Sequence, residues 1–392
     1  MKKILQGVMI LLVFFPLCTY AAESETRISQ EILDDSAEYY GDFFEKGLKS
    51  LDEESVFETL FQKKPKEFLL QLIHGKLELS VSSLLQSIFR ILFQEVYHGM
   101  KLLGCILILS ILSSYLTGLQ ESFGKEGVGM VAFYVCYIVI AGIASTAFYQ
   151  TAECVGQSVS QIALFMKMVV PIVITTLITC GAIVSATVFE PVLITIVEIA
   201  VSLIQGVMLP LVMISAGMNI VNHLSERFKT QKLVKFMNQC IKWGLSVMLT
   251  IFVSVTGLQS IASGSADALT LKLSKFATSN LIPVVGGILA ETVETVMNCS
   301  VLIKNSVGIL GILCLIVLAV FPLLKVWGML ILFRLTAAVC EPVSDNRMIV
   351  CLTELANAIS VLFSILAAVT VMFIIVLTIV LNAGNTALML GR

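Results

Sequence analysis

Apolar runs long enough to cross a bilayer recur through most of this 392-residue chain, and they constrain the fold more than any other feature. They fall at about 102–119, 128–149, 167–189, 192–218, 243–262, 281–297, 307–335 and 352–381, with short linkers between them. A hydrocarbon core takes roughly 20 apolar residues of helix to cross. In hydrocarbon only helices or closed barrels satisfy every backbone group, and runs of this length and continuity read as helices. Charged residues make up 13% of the chain, against about 25% in ordinary soluble domains. The expected fold is all-α: a polytopic helical membrane protein with proline-broken membrane segments.

The amino terminus reads as a secretory signal over 1–22: Lys2 and Lys3, an apolar core from Ile4 to Leu17, then small residues that allow cleavage after Ala21, with Ala22 second. Cys18 follows Phe15-Pro16-Leu17, a poor context for a lipid anchor. Residues 23–98 form an extracytoplasmic region. Its first part is acidic but interrupted by Tyr39, Tyr40, Phe43, Phe44 and Phe57, so it packs as short helices rather than staying disordered. From Phe68 to Tyr97, Lys76, Ser80, Ser83, Ser87, Arg90 and Gln94 recur at spacings of four and three, giving an amphipathic helix suited to a membrane surface.

The membrane domain takes up 99–392, in six to eight segments. Its longest and most basic linker, 222–242, carries Arg227, Lys229, Lys232, Lys235 and Lys242 against Glu226. It reads as an interfacial helix on the cytoplasmic side. With the amino terminus outside, an odd number of crossings must precede residue 222. Four apolar runs do, so one of them must fail to cross. Lys167–Phe189 is the expected defaulter, interrupted by Pro171 and Gly181 and closed by Glu190-Pro191. Pro283 and Gly286-Gly287 make a comparable break later. Leu116-Thr117-Gly118-Leu119-Gln120 and Val255-Thr256-Gly257-Leu258-Gln259 echo one another as in transporters built from repeats.

Downstream of the second break, an otherwise apolar helix carries Glu291, Glu294, Asn298 and Asn305. At roughly 100° per residue these four fall within about 60° of one another. Ile288, Leu289, Val296 and Ile303 are expected on other faces. An ionisable group costs roughly 2.5 to 3.5 kcal/mol at mid-bilayer on insertion scales, so the stripe must meet water, a neighbouring helix or another subunit. Two readings stand level: a solvated pathway, and a structural network with Lys304 of a neighbouring copy as counter-ion. Glu190, Glu198 and Gln205 are secondary intramembrane candidates. Lys325, Arg334 and Glu354 read as groups near an interface.

Enzymatic chemistry has no support in these residues. Cysteines occur singly, no HExxH, GxSxG or P-loop pattern is present, and no nucleophile accompanies the stripe. No catalytic, metal or cofactor residues are therefore nominated. The absence of a basic tract removes nucleic acid as a partner.

The combination of signal, acidic outer region and many short-linked spans is distinctive. With Asn280-Leu281-Ile282-Pro283-Val284-Val285-Gly286 leading to Leu302-Ile303-Lys304-Asn305-Ser306-Val307-Gly308, it resembles the stage III sporulation protein AE family over most of the chain. That resemblance implies a mother-cell membrane subunit around the forespore. There it would work with the other stage IIIA proteins and the forespore stage II protein Q in a channel-like assembly, the proposed feeding tube. It carries over no catalytic residue. Self-association and membrane lipid complete the expected partners. The rival expectation is a stand-alone secondary transporter, with Glu190, Glu198, Glu291 and Glu294 binding a cation or proton.

Overall fold

The computed structural model describes residues 27–51, 57–58, 61, 63–73, 81–123, 126–224, 230–281 and 286–391. The expected signal segment 1–22 lies outside them, as do Pro283, Arg227 and Lys229. The described residues are almost wholly helical: α1 (Arg27–Ser50), α2 (Pro65–Ile73), α3 (Val81–Phe123), α4 (Glu126–Thr179), α5 (Ile183–Leu203), a π-helical turn (Ile204–Met208), α6 (Leu209–Leu224), α7 (Gln231–Leu281), α8 (Gly286–Cys340) and α9 (Asn346–Gly391). Six stretches, with α5 to α6 taken as one, are long and apolar enough to cross a membrane.

The eight apolar runs thus collapse into six rods, because the polar stretches between some of them are helical too. At Gln150–Gln161 a linker was the natural reading, yet α4 continues there with Thr151, Val155, Ser158 and Val159 turned inward and Gln150, Glu153 and Gln157 outward. Pro171 likewise does not interrupt its run: α4 passes through it to Thr179. A proline removes one backbone donor, a loss that a packed helix inside a bundle tolerates. The interruption falls at Gly181, whose φ of 81° only glycine adopts without strain. A hairpin between α4 and α5 results. Three of the six candidate spans end by Asn222. The π-helical turn lies just ahead of Pro210, which cannot donate to the carbonyl of Gly206.

Two further expectations change. The basic segment is not a separate interfacial helix: from Gln231 it is the first part of α7, with Val234 and Ile241 buried and Leu233 and Phe236 exposed. The amphipathic stretch Phe68–Tyr97 is divided between α2 and α3, with 74–80 outside the described residues, and α3 runs on unbroken through the first apolar run. The repeated Thr-Gly-Leu-Gln pieces lie inside α3 and α7.

The core is built around α8 and α9, which pack on each other most extensively; α7 and α4 close on α9, and α3 and α4 on α8. The acidic region is docked rather than free. Phe44 of α1 is buried, with its ring 6.4 Å from that of Phe165, and it lies beside Gly311 of α8. Lys66 ties α2 to α1 through Glu38 at 2.7 Å and Asp42 at 3.2 Å. At 1.5 Å per residue, α4 is roughly 80 Å long. That exceeds the ~30 Å hydrocarbon core, so its ends, and those of α7 and α8, project into water or headgroups.

At Gly308 α8 lies tight against α9: a Cβ there would overlap the side-chain tip of Leu381. Gly308→Ala is expected to destabilise the bundle by about 1 to 3 kcal/mol through overpacking, read as a lower melting temperature in detergent. Adding Leu381→Ala should recover part of the loss, because it removes the atoms in the way.

Candidate functional site at the start of α8

α7 ends at Leu281 and α8 begins at Gly286, with Gly286 and Gly287 in the first turn of α8. Glycine at a helix start leaves the entering backbone unhindered. From there α8 is continuous to Cys340, and its regular winding places Glu291, Glu294, Asn298 and Asn305 along one edge. Asn298 is exposed and Asn305 half-buried. Val296 is 53% exposed, so at this level α8 stands clear of its neighbours on more than the polar edge. Two turns later Ile303 is buried, and the helix enters the core.

Lys304 stands about 100° round the helix from Asn305 and is fully buried within its own chain. Its Nζ donates to the carbonyl oxygen of Leu381 at 2.9 Å and to Oδ1 of Asn385 at 2.6 Å. It therefore stitches α8 to α9 one turn from the Gly308–Leu381 contact, and does not serve as a counter-ion reaching from a neighbouring copy. The close approach at Gly308 brings the α9 carbonyl within reach of the ammonium group.

The secondary candidates lie elsewhere. Glu190 is exposed on α5. Glu198, also exposed, accepts from Lys167 of α4 at 3.0 Å. Gln205, in the π-helical turn, donates to Ser160 Oγ at 2.6 Å and to the carbonyl of Gly156 at 3.1 Å. These residues form a separate constellation on the α4–α5 hairpin. Glu354 faces Asn219 at 3.4 Å, while Lys325 and Arg334 are exposed. Among the described residues, no group of three histidines, cysteines or carboxylates is placed to hold a metal.

Sequence reasoning missed Asp267. It is fully buried on α7, and its carboxylate accepts from the backbone N–H groups of Val184 at 2.7 Å and Ser185 at 3.0 Å. Ala182 cannot cap α5 with its own side chain, so the cap comes from a distant helix and satisfies two donors orphaned in the first turn. Ser185 Oγ, donating to Ser263 Oγ (3.0 Å), and Gln259, donating to the carbonyl of Val188 (2.7 Å), extend the seam. The available signal was that Asp267 is the sole carboxylate in the 51 residues of α7.

These features define a class: a polytopic α-helical membrane protein whose polar groups collect at a few helix edges and inter-helix seams. The family follows from comparison. The profile for stage III sporulation protein AE matches residues 63–384, and the curated stage III sporulation protein AE of Bacillus subtilis (strain 168) is 32% identical over 331 residues, covering 84% of this chain and 83% of that protein. The chain belongs to the stage III sporulation protein AE family and is a sporulation-related, multi-pass membrane protein. No solved structure matches it.

Asp267→Ala is expected to cost about 1 to 2 kcal/mol, as for loss of a helix cap, with the exposed donors adding their own penalty. Amide exchange at Val184 and Ser185 should accelerate first. Asp267→Asn, which keeps one acceptor, should have the smaller effect.

Proposed function

We propose that this chain is a non-enzymatic subunit of a transenvelope, channel-like assembly linking mother cell and forespore, needed for late forespore development. Family membership across most of the chain carries this reading. In it, a signal over 1–22 is removed, the acidic helices face the intermembrane space, and the basic start of α7 faces the mother-cell cytoplasm. The membrane concerned is the mother-cell membrane around the forespore. The partners are the other stage IIIA proteins and the forespore stage II protein Q, with further copies of the chain as an additional contact.

The beginning of α8 is the part proposed to meet a passage or seat a partner. Asn298 on this edge is exposed outside the core, so the edge is available to something outside the chain. The carboxylates invoked by a stand-alone transporter lie on two different helices. Glu190 and Glu198 are on the α4–α5 hairpin, whereas Glu291 and Glu294 are on α8, which packs chiefly on α9, α3 and α4. Glu198 is already paired with Lys167.

In a spore-former whose only copy carries Glu294→Leu with Asn298→Leu, the protein should accumulate in the membrane while heat-resistant spores are lost. Glu294→Gln with Asn298→Gln keeps the edge polar and should sporulate. Normal spore counts from the leucine double mutant would refute the role of this edge.

A further inference from the structure

The helices of the bundle present two unlike outer faces. On α7 the exposed face is greasy: Trp243, Val247, Ile251, Val255, Leu258 and Ile261 follow at helical spacing, with Trp243 69% exposed. The α4–α5 hairpin differs. Gln150, Glu153, Gln157, Ser160 and Lys167 fall within about 100° on α4, all exposed but the half-buried Ser160, with the exposed Leu164 as the apolar residue among them. On α5 and the π-helical turn, Thr187, Thr195, Glu198, Ser202 and Gln205 fall within about 80°, and all are exposed. The inner faces of the same helices are apolar, with Val155, Ile162, Phe165, Leu193, Val197 and Ala200 buried.

The two polar faces are joined into one surface. Lys167 pairs with Glu198 while both remain open, at 43% and 62% side-chain exposure, and Gln205 crosses to Ser160 and Gly156. The π-helical turn places Gln205 at this crossing, and such turns are frequent at functional sites. Both helices belong to candidate spans, and ionised groups open to acyl chains are disfavoured there. The face carries two glutamates (Glu153, Glu198) against one lysine (Lys167), a net charge of −1. Two such faces pressed together would set like charges against each other.

We infer that the α4–α5 face is one wall of a narrow aqueous lumen that favours cations or basic solutes. It rests on the passage reading above but is independent of the α8 edge. A conduit of this kind has to be closed by further subunits, since the hairpin leaves the face open on the single chain. The Lys167–Glu198 pair holds the two helices of the wall together, and Glu153 sets its sign.

The test uses the full chain assembled in membranes of sporulating cells, with native cysteines replaced and single cysteines at Gln157, Thr195, Val247 or Ile251. Small charged methanethiosulfonates should modify Gln157→Cys and Thr195→Cys, the cationic reagent about tenfold faster than the anionic one. They should leave Val247→Cys and Ile251→Cys unmodified, and a bulky polyethylene-glycol maleimide should modify none of the four. Two outcomes overturn the inference. Unreactive Gln157→Cys and Thr195→Cys mean that lipid or a dry protein contact covers the face; modification of those two by the bulky reagent means an open surface in bulk water. If the cysteine-free chain does not accumulate, Thr195→Trp in the native chain serves instead. Its added emission should be quenched by acrylamide and not by brominated lipid, with the reverse result contradicting the lumen. Reactive thiols alongside normal spores from the α8 double mutant would separate failure of that edge from failure of this wall.

Discussion

The structure depends on one constraint: in a chain this apolar, each polar group has to be matched with a partner or with water, because hydrocarbon offers neither. The α8–α9 contact shows the first solution. Gly308 lets the helices approach, and the approach allows the buried Lys304 ammonium to reach a backbone carbonyl and the Asn385 side chain. The Asp267 cap solves the same problem for the donors at the start of α5. Neither needs a second subunit, and both fix how the long helices are registered.

Where polarity is not consumed internally, it gathers on particular edges. Asn298 on α8 and Glu153, Lys167 and Glu198 on the α4–α5 hairpin are exposed groups that lipid would not accept, whereas Trp243, Val247, Ile251, Val255, Leu258 and Ile261 give α7 a mainly apolar exposed stretch. Family membership supplies the sporulation setting in which this division is read.

Much of this was legible in the sequence, for definable reasons. Apolar run length identified a helical membrane protein, and Gly181 marked a real turn, while Gly286-Gly287 stand in the first turn of α8. Helix boundaries were harder. A polar stretch such as Gln150–Gln161 looks like a linker when only hydropathy is summed, but it keeps a helical period with an apolar side turned inward. Pro171 misled because one lost hydrogen bond does not end a helix that is packed along its length. The partners of Lys304 and Asp267 were not legible, since each bond joins residues about 80 positions apart. Only the placement of α8 on α9 and of α5 on α7 brings them together.

The central claim, that the polar edge of α8 faces something other than acyl chains, is open to direct measurement. Spin labels placed singly from residue 294 to 305, in the protein assembled in membranes, would report collision with oxygen, which concentrates in lipid, and with a nickel chelate, which stays in water. The account expects helical periodicity in which the phase containing Asn298 and Asn305 is either nickel-accessible or shielded from both reagents by protein. An oxygen-accessible, nickel-inaccessible phase at those two positions would contradict it.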